Sequence, residues 1–304
     1  MSSSSHALAN SVFGTEALSI PKLYDVSGWV AVVTGGGTGL GLTTAAALAQ
    51  NGAKVYITGR RLGPLIEARD KASPKDGRGS IVPVQADVST KEGILKLRAE
   101  VEKNDQWINL LVNNHGVSLT PPNIDGVEQT PEALSEEMFN NESFDSWADT
   151  YRINVSSYYF TASAFLPLLA KAQTLGGAPE PGNIINIASI SGICLTSQRG
   201  QFSYNSSKAA TRQLTQMLST ELTRRGVLVR VNAISPGYFP SGMSVKEYSD
   251  ALGEEHYKRQ YGIPFGRPGT ARDYAQCILA LACNQYQTGS EIVIDGGWLR
   301  TQAF

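Results

Sequence analysis

The stretch Val32-Val33-Thr34-Gly35-Gly36-Gly37-Thr38-Gly39-Leu40-Gly41 passes from an apolar strand end, through a glycine-rich turn, into a helical pattern. No other segment limits the fold as much. Glycines let the backbone take positive φ and turn sharply with no Cβ in the way. A helix that opens on such a turn presents unpaired N–H groups and the positive end of its dipole, which suits an anion such as a phosphate. A strand delivered straight into a helix is the first half of a βαβ unit.

The rest of the chain repeats that alternation. Short runs rich in Val and Ile occur at Trp29–Val33, Lys54–Thr58, Ile81–Val84, Asn109–Val112, Asn183–Ala188, Val227–Ile234 and Glu291–Ile294. They show little polar alternation, as strands covered on both faces should. Helical patterns fill the gaps, among them Leu40–Asn51, Phe144–Ala172 and Phe202–Arg225. The expectation is an α/β fold: a doubly wound, parallel, seven-stranded sheet with helices on both faces, in one domain over residues 24–304. Neither a linker nor an internal repeat divides it. Leu119–Glu142, which is acidic and contains Pro, and Thr174–Gly182 read as additions to a compact core. Ser241–Tyr261 is polar and reads as a helix between two Pro-Gly turns.

Composition removes several classes of function. The 304 residues carry a formal net charge of −1 and no long basic run, so neither nucleic acid nor an acidic membrane is implied as a partner. Cys194, Cys277 and Cys283 are odd in number and lack metal spacing, and read as reduced thiols in an intracellular protein. His6, His115 and His256 are too scattered for a zinc site. No apolar run reaches the length of a transmembrane helix. Residues 1–23 begin Ser-rich and hold no Arg or Lys before Lys22, unlike a signal peptide or a mitochondrial presequence. They read as a poorly ordered or surface-draped arm, and the cytoplasm is the default location.

Tyr204-Asn205-Ser206-Ser207-Lys208 supplies the chemistry. A Tyr and a Lys four apart share one helix face. A phenol near pKa 10 is a poor base at neutral pH. A cation about 4 Å away, at an effective dielectric near 20, stabilises the phenolate by roughly 4 kcal/mol. At about 1.4 kcal/mol per unit, the expected lowering is up to roughly three units, which makes the phenol a usable general acid or base. Asn113-Asn114-His115-Gly116, Asn154 and Ser189 precede the pair in order. Together with the spacing Gly35-x-x-x-Gly39-x-Gly41, this set resembles the short-chain dehydrogenase/reductase family, over about Tyr24 to Trp298. The likeness is nearest to 3-oxoacyl-thioester reductases and fungal-type carbonyl reductases.

The resemblance implies a Rossmann-type coenzyme site and a ketone reductase. Tyr204 would be the general acid, and Lys208 would lower its pKa and hold the nicotinamide ribose. Ser189 would polarise the substrate oxygen, with Ser191 its rival in the same turn. Asn154 would hold a water linking Lys208 to solvent. The turn at Gly35, Thr38, Gly39, Leu40 and Gly41 would take the pyrophosphate. Asp87 would meet the adenine amino group, or cap the helix from Ser89 onward. Val88 would pack on the adenine ring, and Asn114 would line the adenosine ribose and brace the sheet. Pro236, Gly237 and Ser241 would border the carboxamide, and Ser241–Tyr261 would be the substrate lid. His115 replaces the usual Ala as a packing or hydrogen-bonding variant. The second strand ends Thr58-Gly59-Arg60-Arg61. An acid in the Gly59 slot would favour NAD, whereas Arg60 suits a 2′-phosphate and points to NADP(H). Thr38 stands where many NADP-preferring relatives carry a second basic residue. Family members are usually oligomers, so a homodimer or homotetramer is expected. Two other readings use the same residues: non-redox chemistry in the same pocket, and a dinucleotide-binding subunit without turnover. The intact Asn154, Ser189, Tyr204 and Lys208 argue against the latter.

Overall fold

A computed structural model of the chain describes residues 18–119, 121–240 and 253–301. The seven expected strands all form: β1 (Val30–Thr34), β2 (Lys54–Gly59), β3 (Ser80–Gln85), β4 (Leu110–Asn113), β5 (Asn183–Ile187), β6 (Arg230–Pro236) and β7 (Glu291–Ile294). They make one sheet in the order β3-β2-β1-β4-β5-β6-β7, with every pair parallel. Between them run α1 (Gly39–Gln50), α2 (Leu62–Ala72), α3 (Lys91–Glu102), α4 (Pro131–Asn140), α5 (Phe144–Tyr151), α6 (Ser157–Thr174), α7 (Phe202–Arg224), α8 (Gly253–Tyr261) and α9 (Ala271–Cys283).

The core explains why the strands carry no polar alternation. In β1, Ala31 and Val33 pack with Leu48 of α1, Leu65 of α2 and Ile278 and Leu281 of α9. Val30 and Val32, pointing to the other face, pack with Leu97 of α3 and Phe165 and Leu168 of α6. Both faces bury apolar side chains, so both parities of the strand must be apolar. Strand order reverses between β1 and β4. Crossovers there leave in opposite directions and open a crevice beyond the carboxyl ends of the strands, where ligands of such folds bind.

Two elements differ from the sequence reading by more than a residue or two, and a third falls partly outside the described residues. The helix expected over Phe144–Ala172 is interrupted by a π-helical turn, Arg152–Ser156, between α5 and α6. The extra residue in that turn lets Asn154 point inward: its carboxamide donates to Val117 O (2.9 Å) and Ser207 Oγ (3.0 Å) and accepts from Val117 N (2.9 Å). β6 starts at Arg230 rather than Val227. The Val227 N–H donates to Leu222 O (2.9 Å), closing the turn after α7 through Gly226, whose φ is 73°. The expected helix over Ser241–Tyr261 is observed only from Gly253, and residues 241–252, including Ser241, Met243 and Tyr248, lie outside the described residues.

The Leu119–Glu142 insertion carries α4, which begins at the Thr130 cap and buries none of its residues. Thr174–Gly182 is irregular beyond the end of α6. Of the N-terminal arm, residues 1–17 lie outside the described residues, and Ile20–Leu23 make one exposed helical turn. Among the described residues no helix is long and apolar enough to cross a membrane, and no cluster of three or more metal-ligating side chains occurs.

Candidate active site

The crevice at the carboxyl ends of the strands is a cavity of about 560 Å³. Among the described residues, its walls hold every candidate site residue read from the sequence except Gly41 and Asn154, which stand just behind them.

At one end lies the glycine turn. Gly35 (φ 64°) and Gly39 (φ 54°) are left-handed, a conformation that costs an L side chain about 1–2 kcal/mol. Gly41 does not touch the cavity. A Cβ there would fall 2.2 Å from Gly35 O and 2.4 Å from Asn114 Nδ2, so its role is to let the turn fold back on itself. Thr38 caps α1 with extended backbone, and its hydroxyl makes no capping bond. The first N–H groups of α1 therefore remain available to an anion.

Beyond the turn, Gly59 ends β2 and Arg60 and Arg61 follow it, and Asp87 and Val88 come after β3. Arg60 and Arg61 both line the cavity, and among the described residues neither is in one of the 14 ion pairs. Burial pushes the Asp87 carboxyl up. Bonds from the Ser89 hydroxyl (2.7 Å) and N–H (3.0 Å), with the charges of Arg60 and Arg152, outweigh this and hold it below the usual value. Helix α3 is capped by Thr90, whose hydroxyl accepts from Gly93 N at 3.0 Å. That corrects the capping alternative for Asp87. Its Oδ1 instead closes a turn onto Ser89.

The floor is a set of polar groups bonded to one another. Asn114 donates to Thr34 O and Gly35 O (both 3.2 Å), fixing the β4 end to the glycine turn. His115 bridges Thr34 Oγ1 (2.7 Å) and Ser157 Oγ (2.6 Å) through its two ring nitrogens. Burial, reinforced by Lys208, holds it neutral with a pKa pushed down to about 3. The hydrogen-bonding role read for it from sequence matches these contacts. A Cβ on Gly116 would lie 3.3 Å from Asn154 Oδ1 and 3.5 Å from Lys208 Nζ, so glycine leaves room between those groups.

Ser189 ends the segment after β5, its Oγ accepting from Ser191 N at 3.1 Å. Ser191 therefore supports Ser189 through its backbone. Tyr204 and Ser189 both line the cavity, and the Ser189 side chain acts to lower the Tyr204 phenol's pKa. Lys208 is buried and donates to Ile187 O at 2.8 Å. α7 thus brings Tyr204 and Lys208 to Ser189, as their spacing implied. The electrostatics differ from expectation. Burial raises the Tyr204 phenol above its ordinary value despite the opposing effect of the Ser189 side chain, and burial lowers the Lys208 ammonium to about 7. Lys208 Nζ sits 5.9 Å from the centroid of the Tyr204 ring. A lowered phenol pKa requires a wet site with a permanently charged lysine nearby. Desolvation acts on both groups, and it opposes each charged form.

At the far end of the cavity stands the Cys194–Gly200 loop, which the long interval from Ser189 to Tyr204 marks in the sequence as bordering the pocket; Gln198 lines the cavity. Gln198 (φ 51°) and Arg199 (φ 71°) are the non-glycine residues of positive φ among those described. Each such conformation costs of order 1–3 kcal/mol. They are held by Gly200, where a Cβ would fall 2.2 Å from Pro122 O, by the Gly200 N–H on Ser197 Oγ (3.0 Å), and by Gln201 N on Ser197 O (2.8 Å). Opposite stands Tyr238, packed edge-on against Tyr261 (5.5 Å) and Trp298 (6.0 Å). The Trp298 indole donates to Tyr261 O at 2.9 Å, tying α8 to the C-terminal turn. Tyr238 directly follows Pro236-Gly237, a position that could have flagged it. Gln198 and Arg199 carry no signal, since nothing in their residue types announces left-handed backbone. Farther out, Arg212 donates to Gly192 O (2.8 Å) and pairs with Glu291 (2.6 Å), anchoring the turn after Ser189 to β7.

Comparison with known proteins agrees with this geometry. The family described as short chain dehydrogenase matches residues 29–252. The chain is 38% identical over 294 residues to the short-chain dehydrogenase/reductase PhomF of Diaporthe leptostromiformis, covering 94% of this chain and 96% of that protein. It is 31% identical over 277 residues to the rhamnolipids biosynthesis 3-oxoacyl-[acyl-carrier-protein] reductase of Pseudomonas aeruginosa, covering 90% and 98%. Among solved structures, the Pseudomonas aeruginosa RhlG/NADP active-site complex superimposes with a TM-score of 0.74 at 30% identity, covering 91% of this chain and 98% of that one. The protein belongs to the short-chain dehydrogenase/reductase family, with the Rossmann-type fold and nicotinamide-dinucleotide site that this entails.

Proposed function

We propose that the protein is an NADP(H)-dependent oxidoreductase that reduces a ketone to a secondary alcohol. One observation carries the reading. Ser189, Tyr204 and Lys208 line one cavity that runs from there to the glycine turn and Arg60. The coenzyme fits the residues present. A turn that only glycine permits, unpaired N–H groups at the start of α1 and the guanidiniums of Arg60 and Arg61 suit a pyrophosphate and a 2′-phosphate. When bound, it supplies the hydride.

The chain's own groups do the rest. Ser189 Oγ donates to the carbonyl oxygen and holds it beside the phenol. Tyr204 delivers its proton to the oxygen as charge develops there. Its raised pKa keeps it protonated at neutral pH, so it serves as an acid in the direction of reduction. Lys208, poised near 7, exchanges protons with little driving force either way. Both amide protons of Asn154 are committed, to Val117 O and Ser207 Oγ, and one lone pair of its Oδ1 to Val117 N. Any water it holds for Lys208 takes a second bond on an oxygen already in use. A cytoplasmic homodimer or homotetramer, with an arm before residue 24 and a lid ending in α8, completes the proposal.

The test is direct. Purified protein is mixed with NADPH or NADH and a panel of ketones, and absorbance at the nicotinamide band is followed. Consumption of NADPH in preference to NADH with at least one ketone supports the reading. Substrate conversion without nicotinamide turnover would replace it with non-redox chemistry.

A further inference from the structure

Lys208 meets a second tyrosine besides Tyr204. Tyr158, on α6, is fully buried, and its ring centroid lies 5.6 Å from Lys208 Nζ, against 5.9 Å for the Tyr204 ring. Both distances fall within the roughly 6 Å over which a ring face attracts a cation. The Tyr158 ring is held in place. Its hydroxyl donates to His115 O (2.7 Å) and lies 3.3 Å from Ile187 O, and the His115 ring packs edge-on against it at 4.9 Å. Ile187 O, at the end of β5, is also the carbonyl to which Lys208 Nζ donates at 2.8 Å. Ring and ammonium are therefore fixed to the same strand end. The titratable groups facing Lys208 are Tyr204 on its own helix, Tyr158 on α6 and the neutral His115 after β4. Burial, and no carboxylate among the described residues, sets its titration. A buried ammonium stays charged only with partners that favour the charge. Here those partners are ring faces and one carbonyl.

We propose that Tyr158 is a positioning residue of the site: its ring face stabilises the Lys208 ammonium, so that a buried lysine keeps its charge near Tyr204. Tyr158 is not in the cavity wall, and it acts through Lys208. The attraction comes from the ring and its quadrupole, while the hydroxyl serves to hold the ring. The use made of the charge rests on the reductase reading. Once Tyr204 has delivered its proton, the phenolate left behind is stabilised by a cation and not by a neutral amine.

The experiment reads the charge directly, independently of turnover. Protein carrying carbon-13 at the lysine ε-carbons is titrated with pH by NMR, and the Lys208 signal is identified by its loss in Lys208→Arg. Tyr158→Phe keeps the ring face. A trifluorinated phenylalanine in place of Tyr158 keeps the shape but withdraws electron density from that face. Relative to Tyr158→Phe, the fluorinated protein should titrate Lys208 at least about half a unit lower, and Tyr158→Leu should lower it as far or farther. A purely structural role for Tyr158 would leave the Phe and fluorinated proteins alike. A smaller difference between those two overturns the proposal, whether or not Tyr158→Leu folds. If the shift is found while NADPH is oxidised with no ketone, the proposal stands and the reductase reading fails.

Discussion

The two ends of the cavity are built on opposite principles. At the coenzyme end, left-handed backbone falls on glycines, Gly35 and Gly39, and costs almost nothing. At the substrate end it falls on Gln198 and Arg199, against steric preference, and neighbours on the Leu119–Glu142 insertion hold it there. The first end presents backbone N–H groups. The second presents side chains, among them those of Gln198 and Tyr238. A site made of backbone can be kept while the sequence around it varies, provided the glycines stay. A site made of strained side chains belongs to one chain and one group of ligands.

That contrast can be pressed by substitution. The largest effect is expected midway between the two ends. Tyr204→Phe should lower kcat by about 10²–10⁴-fold, because proton delivery is lost. NADPH affinity should stay within about threefold, since the ring packs either way; fluorescence titration alongside steady-state rates checks both. Near-wild-type turnover would remove the acid role. Next comes Gly41→Ala, whose Cβ would overlap the Gly35 carbonyl. Displacing backbone costs about 3 kcal/mol or more, so NADPH should bind at least about 100-fold more weakly. A coenzyme end that tolerated this change would be no more rigid than the substrate end.

Arg60→Ala tests the one part of the coenzyme end that relies on a side chain. A charge-assisted bond contributes about 1.5–3 kcal/mol, so the NADPH to NADH ratio of kcat/KM should fall by roughly tenfold or more. An unmutated protein that used both coenzymes equally would refute the assignment at once. A pH series probes the floor shared by both ends. His115 has a folded pKa of about 3 against an ordinary 6.5. Its neutral form is favoured in the fold, so the stability it contributes is present above 6.5 and is lost as pH falls toward 3. Urea unfolding between pH 7 and 4 should show wild type losing up to about 1.4 kcal/mol per pH unit relative to His115→Ala; parallel curves would mean that the ring ionises freely. The smallest effect is Arg199→Gly. Relief of left-handed strain and the greater freedom of the unfolded chain oppose each other, so thermal unfolding should shift by less than about 1 kcal/mol. A large loss of stability would show that the loop is held by the Arg199 side chain rather than by Gly200 and Pro122.

The same contrast decides what could be read from residues alone. The sheet was legible because both parities of each strand are apolar. The coenzyme end was legible because glycine is the only residue for its backbone, and Tyr204 and Lys208 because a helix turns a spacing into a face. What was lost depends on distant neighbours. The π-turn at Arg152–Ser156 exists to aim Asn154 at Val117 and Ser207, residues far from it in sequence. The electrostatics of Lys208 and Tyr204 reversed expectation because burial is a property of the whole fold, whereas the distance argument considered two groups in a wet cleft. Thr90 took the helix cap offered to Asp87, a local contest between adjacent polar residues that composition could not settle.

The imidazole of His115 sits between two hydroxyls whose protons already have destinations. Thr34 Oγ1 donates to Val112 O at 3.2 Å, and Ser157 Oγ donates to Ile153 O at 2.6 Å. A neutral ring carries a single N–H, so one of its nitrogens must receive a proton from one of those hydroxyls. Whichever hydroxyl supplies it withdraws from its carbonyl. The ring thus forces a choice: either the β1–β4 strand pair gives up a side-chain bond, or the first turn of α6 does. Proton order on one side is obtained only by disorder on the other. Nitrogen chemical shifts of the ring would reveal which strand or helix concedes, and a ligand that perturbs Lys208 next to it would be read out as an exchange of tautomers.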